Sequence, residues 1–516
     1  MSGTLNDDVL HSELVIGLVG AVGTDMRSVI RCIEDRLALA GYETRTIKVS
    51  RDVIQRLDKQ EASSTDHYLR INGLMDRGND TREKATKWLR DNGYDRSTAS
   101  GIGNSILALG ASSRIFAHRT NDGVIDPGFL SKTAFIIDSL KRPEEVERLR
   151  QTYPSGFVLM GVHAEEDQRR EHLTKYMNMS PEDANKLMQR DFEESDKEYG
   201  QRLNQTFYLG DFFVRSSERE DRLKADLSRI IDALFGHPNI TPTFDEYAMF
   251  MAYAAALKSA DLSRQVGAVI ARNKEILSTG ANDCPRAGGG QYWPDRYTGS
   301  AIVDEPNGRD YKRHRDQNRV EQLDIIDQIV EAAEKVPDLK THGAKIKDLL
   351  KASRIRDLTE FGRMVHAEMD ALLACARLGT STLGATLYCT TFPCHNCAKH
   401  IVAAGLERVV YVQPYPKSKA LDFHDDSIVM TSKPPETGQN RVRFQPFVGI
   451  GPRRFFDLFS MQLSSGYDLE RKDPETGAAK DFSIAKARLR VLMNPASYID
   501  LEATAQRLYG DITGEK

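Results

Sequence analysis

Thr391-Phe-Pro-Cys394-His-Asn-Cys397-Ala-Lys399, read with Val365-His366-Ala367-Glu368 upstream of it, says more than any other stretch of the chain. His366, Cys394 and Cys397 offer one imidazole and two thiols, a set of three metal ligands. A structural zinc site is normally closed by four protein ligands, whereas a catalytic one keeps a position open for water. Cys394 and Cys397 must ionise to bind a metal, and Cys397-Ala-Lys-His-Ile-Val402 reads as the start of a helix, which favours that charge. Glu368 is not needed for coordination and is free to move protons.

The order His-x-Glu followed by Pro-Cys-x-x-Cys is the signature of zinc-dependent nucleobase deaminases, which these residues therefore resemble. The resemblance implies Zn2+ held by His366, Cys394 and Cys397, and a water made acidic, with a pKa of about 7. It also implies Glu368 as the catalytic acid and base. The alternatives for the same residues are ordinary buried thiols or a structural zinc knuckle, which would need neither the Pro nor the Glu. Pro393-Cys-His-Asn-Cys-Ala-Lys-His-Ile-Val-Ala-Ala-Gly-Leu-Glu-Arg-Val-Val-Tyr411 resembles deoxycytidylate (dCMP) deaminases closely. So do Asp261-Leu-Ser-Arg-Gln-Val-Gly-Ala-Val-Ile270, Ser278-Thr-Gly-Ala-Asn-Asp283 and Tyr415-Pro-Lys-Ser-Lys-Ala420. This likeness covers about residues 245–460. It implies a three-layer α/β/α fold, a homo-oligomer, Asn282 on the sugar or base, and Arg264 near the nucleotide end of the pocket. Tyr415, after a strand, is read either as bordering the base or as packing.

The chain has 516 residues, a net charge of −4 and 28% charged residues. That length implies about three domains, or two large ones, and that charge does not suit a nucleic-acid coat. Of its six cysteines, Cys32, Cys284, Cys375 and Cys389 have no framework spacing, which fits a reducing cytoplasm. Cys284 sits in a polar turn and reads as a free thiol or part of a second metal site. The apolar run 14–22 is too short to span a bilayer, and a cytoplasmic location with no membrane partner is expected.

Strands expected at 14–19, 42–49, 133–138, 157–162 and 207–214 alternate with helices at 26–40, 143–151 and 221–235, the pattern of a parallel α/β sheet. Residues 1–235 are read as the first domain and 236–243, with two Pro and a Gly, as a linker. Residues 244–516 are read as the second domain, interrupted by a charged insertion at 284–358. The helix after His366 is expected to bury Leu372, Leu373 and Ala376. His395, between the two thiols, is expected to pack or face solvent.

Gly17-Leu-Val-Gly20-Ala-Val-Gly23-Thr24-Asp25-Met26 lies between a strand and a helix, where a phosphate-cradling loop belongs. It resembles the P-loops of nucleoside and nucleotide kinases, although Asp25-Met26 stands where their Gly-Lys is expected. By that resemblance Gly17, Gly20, Gly23 and Thr24 would bind a regulatory nucleotide. Asp138 would face its metal, and Arg169 and Arg170 would belong to a lid. A P-loop kinase-like parallel-sheet domain fused to a dCMP-type deaminase domain resembles the bacterial anti-phage dCTP deaminases. That family implies depletion of deoxycytidine nucleotides during phage infection, with dCTP and also dCMP as substrates.

Lys312, Arg313 and Arg315, in the basic run 309–319, are read either as contacts to a triphosphate or as a solvated face. Other readings stay open: a housekeeping dCMP deaminase, a deaminase editing single-stranded nucleic acid, and a non-catalytic dCTP sensor. Editing requires a groove of interleaved basic and aromatic residues, of which only 309–319 gives a hint. A pure sensor would have no use for Glu368.

Overall fold

A computed structural model describes residues 12–58, 66–121, 124–125, 130–194, 198–216, 220–294, 296–298, 301–413, 418–430, 441–491, 493 and 495–515. The chain forms two compact units. One is Met1–Glu246 with Val448–Lys516, and the other is Tyr247–Phe447.

The first unit contains, in order, β1 (Leu14–Gly20), α1 (Met26–Leu39), β2 (Glu43–Lys48), α2 (His67–Asp91), α3 (Ile106–Ala117) and β3 (Thr133–Asp138). It continues with α4 (Pro143–Thr152), β4 (Phe157–His163), α5 (Pro181–Glu193), β5 (Phe212–Arg215) and α6 (Glu220–Leu234). The strands pair in the order β5-β4-β1-β3-β2, all parallel. Strand β1 is buried along its whole length, as expected for a central strand covered on both faces. Its even-numbered residues Leu14, Ile16 and Leu18 pack with Val29, Ile33 and Leu37 of α1 and with Leu223, Leu227 and Ile230 of α6. Those helix positions recur every three or four residues, which keeps one face on the sheet. Asp25 caps α1 by accepting from the Ser28 N–H at 3.3 Å. The acid found where the loop's second glycine was expected is thus a helix cap.

Two expectations are corrected here. The strand expected over 207–214 begins at Phe212, because Leu203–Tyr208 is helical. Phe207 packs from that helix onto Phe213 with ring centroids 5.4 Å apart, and an apolar residue of this kind looks the same in either state. The chain also divides differently from the expected single domain over 244–516. From Val448 onward it belongs to the first unit. Gly449–Ile450 pairs antiparallel with β5, and the closing helix Pro495–Thr513 packs along α3, with Tyr509 against Gly110. Arg119 gives a physical reason for this return. Its side chain is 0% exposed, and it donates to Glu13 at 2.7 Å and to Glu502 at 2.6 Å. A buried guanidinium needs such partners, and one of them lies in the last helix.

The second unit comprises α7 (Phe244–Ala256, whose first turn precedes the boundary), β6 (Gly267–Arg272), β7 (Glu275–Ala281), α8 (Gln317–Glu334), α9 (Gly343–Ala352) and α10 (Ala367–Arg377). It continues with β8 (Thr386–Thr391), α11 (His395–Ala403), β9 (Arg408–Gln413), β10 (Ile428–Met430) and β11 (Val442–Pro446). The sheet order is β10-β11-β9-β8-β6-β7. Strands β8 to β11 run parallel, and β6 and β7 run antiparallel to their neighbours. Gly267 and Gly280 point to opposite faces of the sheet, since Gly267 is opposite Ala281. Ala252 of α7 lies over the first and Ala367 of α10 over the second, so helices cover both faces. Helices α8 and α9 lie in the expected insertion between β7 and α10. Among the described residues no helix is long and apolar enough to cross a membrane.

Candidate metal centre and active-site cleft

Three elements of the second unit converge on one point. The Val365 N–H donates to the Asp283 carbonyl at 3.0 Å, an isolated bridge that fixes the chain just before α10. His366 is extended (φ −65°, ψ 151°) and caps α10 from outside, while Cys394 does the same for α11 (φ −69°, ψ 164°). An extended residue at a helix start turns its side chain away from the helix barrel, so both caps can face one another. The His366 Nδ1 lies 3.3 Å from Cys394 Sγ and 3.3 Å from Cys397 Sγ. The three donor atoms all fall within 4.8 Å of one another, and they are the cluster among the described residues able to hold a metal ion.

The electrostatics fit a cation. The hydrogen bond from Cys397 holds the Cys394 thiol down to about 3. Hydrogen bonding to Cys394 pushes His366 up to about 9. Cys397 is raised by hydrogen bonding to Cys394 and by burial. One thiolate is thus held by protons on its two neighbours, the role a divalent cation takes over when it displaces those protons. Glu368, the second residue of α10 and 4% exposed, is raised by burial, with His366 opposing that shift and Cys394 adding to it. A buried carboxyl with a raised pKa can carry a proton near neutral pH.

The cluster lies at the wall of a cleft lined also by Asp261, Arg264, Asn282, Asp310, Asp316 and Arg363. Phe392, packed edge-on to Tyr411 with centroids 4.9 Å apart, lines it too.

Residues 242–413 match the family described as "Cytidine and deoxycytidylate deaminase zinc-binding region". The deoxycytidylate deaminase of Enterobacteria phage T4 is 30% identical over 171 residues, covering 33% of this chain and 77% of its own. That of Mycobacterium phage D29 is 30% identical over 171 residues, covering 33% of this chain and 94% of its own. The chain belongs to the cytidine and deoxycytidylate deaminase family. A crystal structure of the dCMP deaminase from the cyanophage S-TIM5 aligns at 20% identity with 40% of this chain and 100% of that one, at a TM-score of 0.22.

Zinc is the metal of this deaminase, and a Cys2His donor set with room for water is one of its catalytic forms. Asn282 lines the cleft at 5% exposure. Its amide accepts from the Val266 N–H at 2.6 Å and donates to the Arg264 carbonyl at 2.9 Å, so it also pins the loop that carries Arg264. Arg264 is at the cleft, exposed. Lys312, Arg313 and Arg315 are not in its lining, where Asp310, Asp316 and Asn318 represent that run. Arg313 instead donates to the Asn307 carbonyl at 2.6 Å. Arg363 was not singled out from sequence. It donates to Asp310 Oδ1 at 2.7 Å and to the Gly308 carbonyl at 2.8 Å. Its one sequence signal is a position three residues before His366, inside the segment leading to the signature.

His395 packs edge-on to Phe423 at 5.8 Å. Cys284 is buried beside Asp310 and Met364, both at 3.7 Å, and it belongs to no metal-holding cluster among the described residues. The buried face of α10 is Ala367, Ala371, Leu372 and Cys375, whereas Leu373 and Ala376 are exposed. That corrects the expected stripe by one residue, because positions four apart share a helix face and adjacent ones do not. Tyr415 lies outside the described residues.

In the first unit, Gly20, Gly23, Thr24 and Asp138 line a separate cavity, with Lys48 Nζ 3.8 Å from Asp138. Gly17 does not line it. It lies inside β1, within the expected strand, against Leu140 and Phe157, and this corrects its expected place among the nucleotide-binding residues. Arg169 packs on the loop, donating to the Val22 carbonyl at 3.3 Å, whereas Arg170 is paired with Glu166 and Asp167.

Proposed function

We propose that this protein is a zinc-dependent hydrolytic deaminase of deoxycytidine nucleotides, converting dCTP to dUTP and dCMP to dUMP, and that it depletes dCTP as a defence against phage. The observation that carries the chemistry is the buried Glu368 carboxyl beside the His366, Cys394 and Cys397 donors.

In this reading His366, Cys394 and Cys397 hold the zinc, which when bound makes a water nucleophilic near neutral pH. Glu368 would accept a proton from the attacking water, protonate the ring nitrogen N3, and pass a proton to the departing amine. A C4–O bond forms, the C4–N4 bond breaks, and ammonia leaves. Asn282 shapes the wall near the base. Arg264 and Arg363 meet the first phosphate, and Lys312, Arg313 and Arg315, in the run flanked by the wall residues Asp310 and Asp316, meet the phosphates beyond it. Asp261, Asp310 and Asp316 in the lining would repel a long polyanion, which supports a nucleotide over a nucleic-acid strand. The enzyme is proposed to act as a cytoplasmic homo-oligomer.

The first unit is proposed as a P-loop kinase-like, nucleotide-binding regulator. Its parallel order β2-β3-β1-β4-β5 and the glycine loop after β1 support this, as does its resemblance, together with the deaminase unit, to anti-phage dCTP deaminases. A plain dCMP deaminase is the second reading, favoured by the names of the T4 and D29 relatives.

Incubation of the purified protein with dCTP, dCMP and cytidine, with products resolved by chromatography, tests this. Conversion of both nucleotides but little cytidine is expected. Arg363→Ala should weaken use of both nucleotides, and joint replacement of Lys312, Arg313 and Arg315 by Ala should weaken dCTP use more. Conversion of dCMP alone would establish the second reading.

A further inference from the structure

The cavity of the first unit has two unlike kinds of lining. One is apolar, with Ile54, Ile71, Leu74, Leu107 and Leu173. The other is the loop after β1, with Thr24, Lys48, Asp138 and Lys141. Gly23 in that loop has φ +87°, and a Cβ on it would stand 2.7 Å from the Arg169 carbonyl oxygen. The loop is therefore held in a left-handed turn that presents main-chain N–H groups.

The Val22 N–H is already taken. It donates at 2.9 Å to Oδ2 of Asp191, which reaches it from α5, 169 residues along the chain. Asp191 is 4% exposed. The Lys141 ammonium lies 3.6 Å from its Oδ1 and donates to the Gly20 carbonyl at 2.8 Å. A loop N–H and a lysine ammonium are the two contacts that a glycine loop offers to a phosphate, and a carboxylate of the chain occupies both. The seat is incompletely satisfied by it. Asp191 Oδ1 has no hydrogen bond among the described residues, and neither has the Thr24 hydroxyl, which is 9% exposed on the cavity wall. The unpaired Thr24 hydroxyl carries a free-energy penalty that a better-placed acceptor would relieve.

We propose that Asp191 is a placeholder for a ligand phosphate. Lys141, from the segment after β3, supplies the cation absent at position 26, and a phosphate-bearing ligand binds by displacing Asp191 and loosening α5 from the loop. The empty Thr24 hydroxyl fits the tetrahedral group that would replace the flat carboxylate, since its extra oxygens can accept from Thr24 and Lys141. The inference rests on the nucleotide-binding reading of this unit only for the identity of the ligand, because the seat itself is defined by its contacts.

The test is calorimetric titration of the full chain with inorganic tripolyphosphate. Asp191→Asn keeps an acceptor for the Val22 N–H while removing the competing charge, and its circular dichroism melt checks that it folds. It should bind tripolyphosphate at least tenfold more tightly than the unsubstituted protein. Adding Lys141→Met should abolish that gain, and Lys141→Arg should keep most of it. In the unsubstituted protein, saturating tripolyphosphate should speed amide hydrogen exchange across 181–191. Equal affinities with and without Asp191→Asn, or no binding to either, would overturn the proposal, as would unchanged exchange in α5. If tripolyphosphate binds as described while no nucleotide alters deamination, the regulatory reading fails and the seat stands.

Discussion

The Ala367 carbonyl oxygen occupies the space a side chain on Gly280 would need: a Cβ there would stand 2.2 Å from it and 2.5 Å from the Ala371 nitrogen. Strand β7 and the first turn of α10 therefore meet backbone to backbone. That contact sets how deep His366 and Glu368, at the start of the helix, sit against the sheet. Since no flexible side-chain end is involved, the helix itself must shift to admit a methyl group. Gly280→Ala should lower stability by about 3 kcal/mol and reduce zinc content. A full zinc complement and an unshifted melting curve would show that α10 can slide freely.

Glu368 and Cys394 should separate on metal analysis. Glu368→Gln removes the proton carrier and leaves the donor cluster, so zinc should stay near one per chain while deamination falls by a factor of about 10² to 10⁴. Cys394→Ala removes a donor at the head of α11, and should cost both zinc and local stability, since metal binding and folding are coupled. Atomic absorption on both variants distinguishes the roles. Zinc lost from Glu368→Gln would make that carboxylate a ligand.

Cys284 should be inert. It is fully buried, and burial, with the Asp310 carboxylate adding to it, pushes its thiol from 9.0 up to about 11. With a folded pKa above the unfolded one, the neutral thiol contributes stability that is fully present below pH 9 and is lost as pH rises towards 11. At pH 8 roughly one such thiol in a thousand is ionised. Iodoacetamide should label it in the denatured chain but not in the native one, as read by peptide mass spectrometry. Rapid native labelling would place it in an open, reactive setting.

Arg119 should hold the two ends of the chain in the first unit. Arg119→Met leaves Glu13 and Glu502 buried without their shared cation, a change that costs about 3–5 kcal/mol. Pairing it with Glu502→Gln removes one orphaned charge and should recover part of that loss. Removing residues 495–516 should be at least as damaging as Arg119→Met. Differential scanning calorimetry reads all three, and an unchanged profile after truncation would make the closing helix dispensable.

The metal centre was legible because its chemistry is local. His366 with Glu368, and Cys394 with Cys397, are pairs within one helical turn, and the residue types leave few alternatives to a catalytic zinc. Most strands and helices were legible for the same reason, since periodicity depends on near neighbours. Arg363 was not. It is one arginine among many until Asp310 and the Gly308 carbonyl, more than fifty residues earlier, hold it at the cleft. The stripe Leu372/Leu373/Ala376 was misplaced by one position, because the order of apolar residues does not say which helix face the sheet takes.

By itself, then, the sequence determined the class of chemistry, the α/β alternation and the glycine loop, all set by residue type and short spacing. Tertiary structure alone decided which distant residues meet. It returned the last segment to the first unit through Arg119 and Glu502, put Asp310 and Asp316 on the cleft wall in place of the neighbouring basic residues, and set Asp191 on the Val22 N–H. Buried charges and main-chain N–H groups must find partners wherever the folded chain supplies them, and no local pattern records where that is.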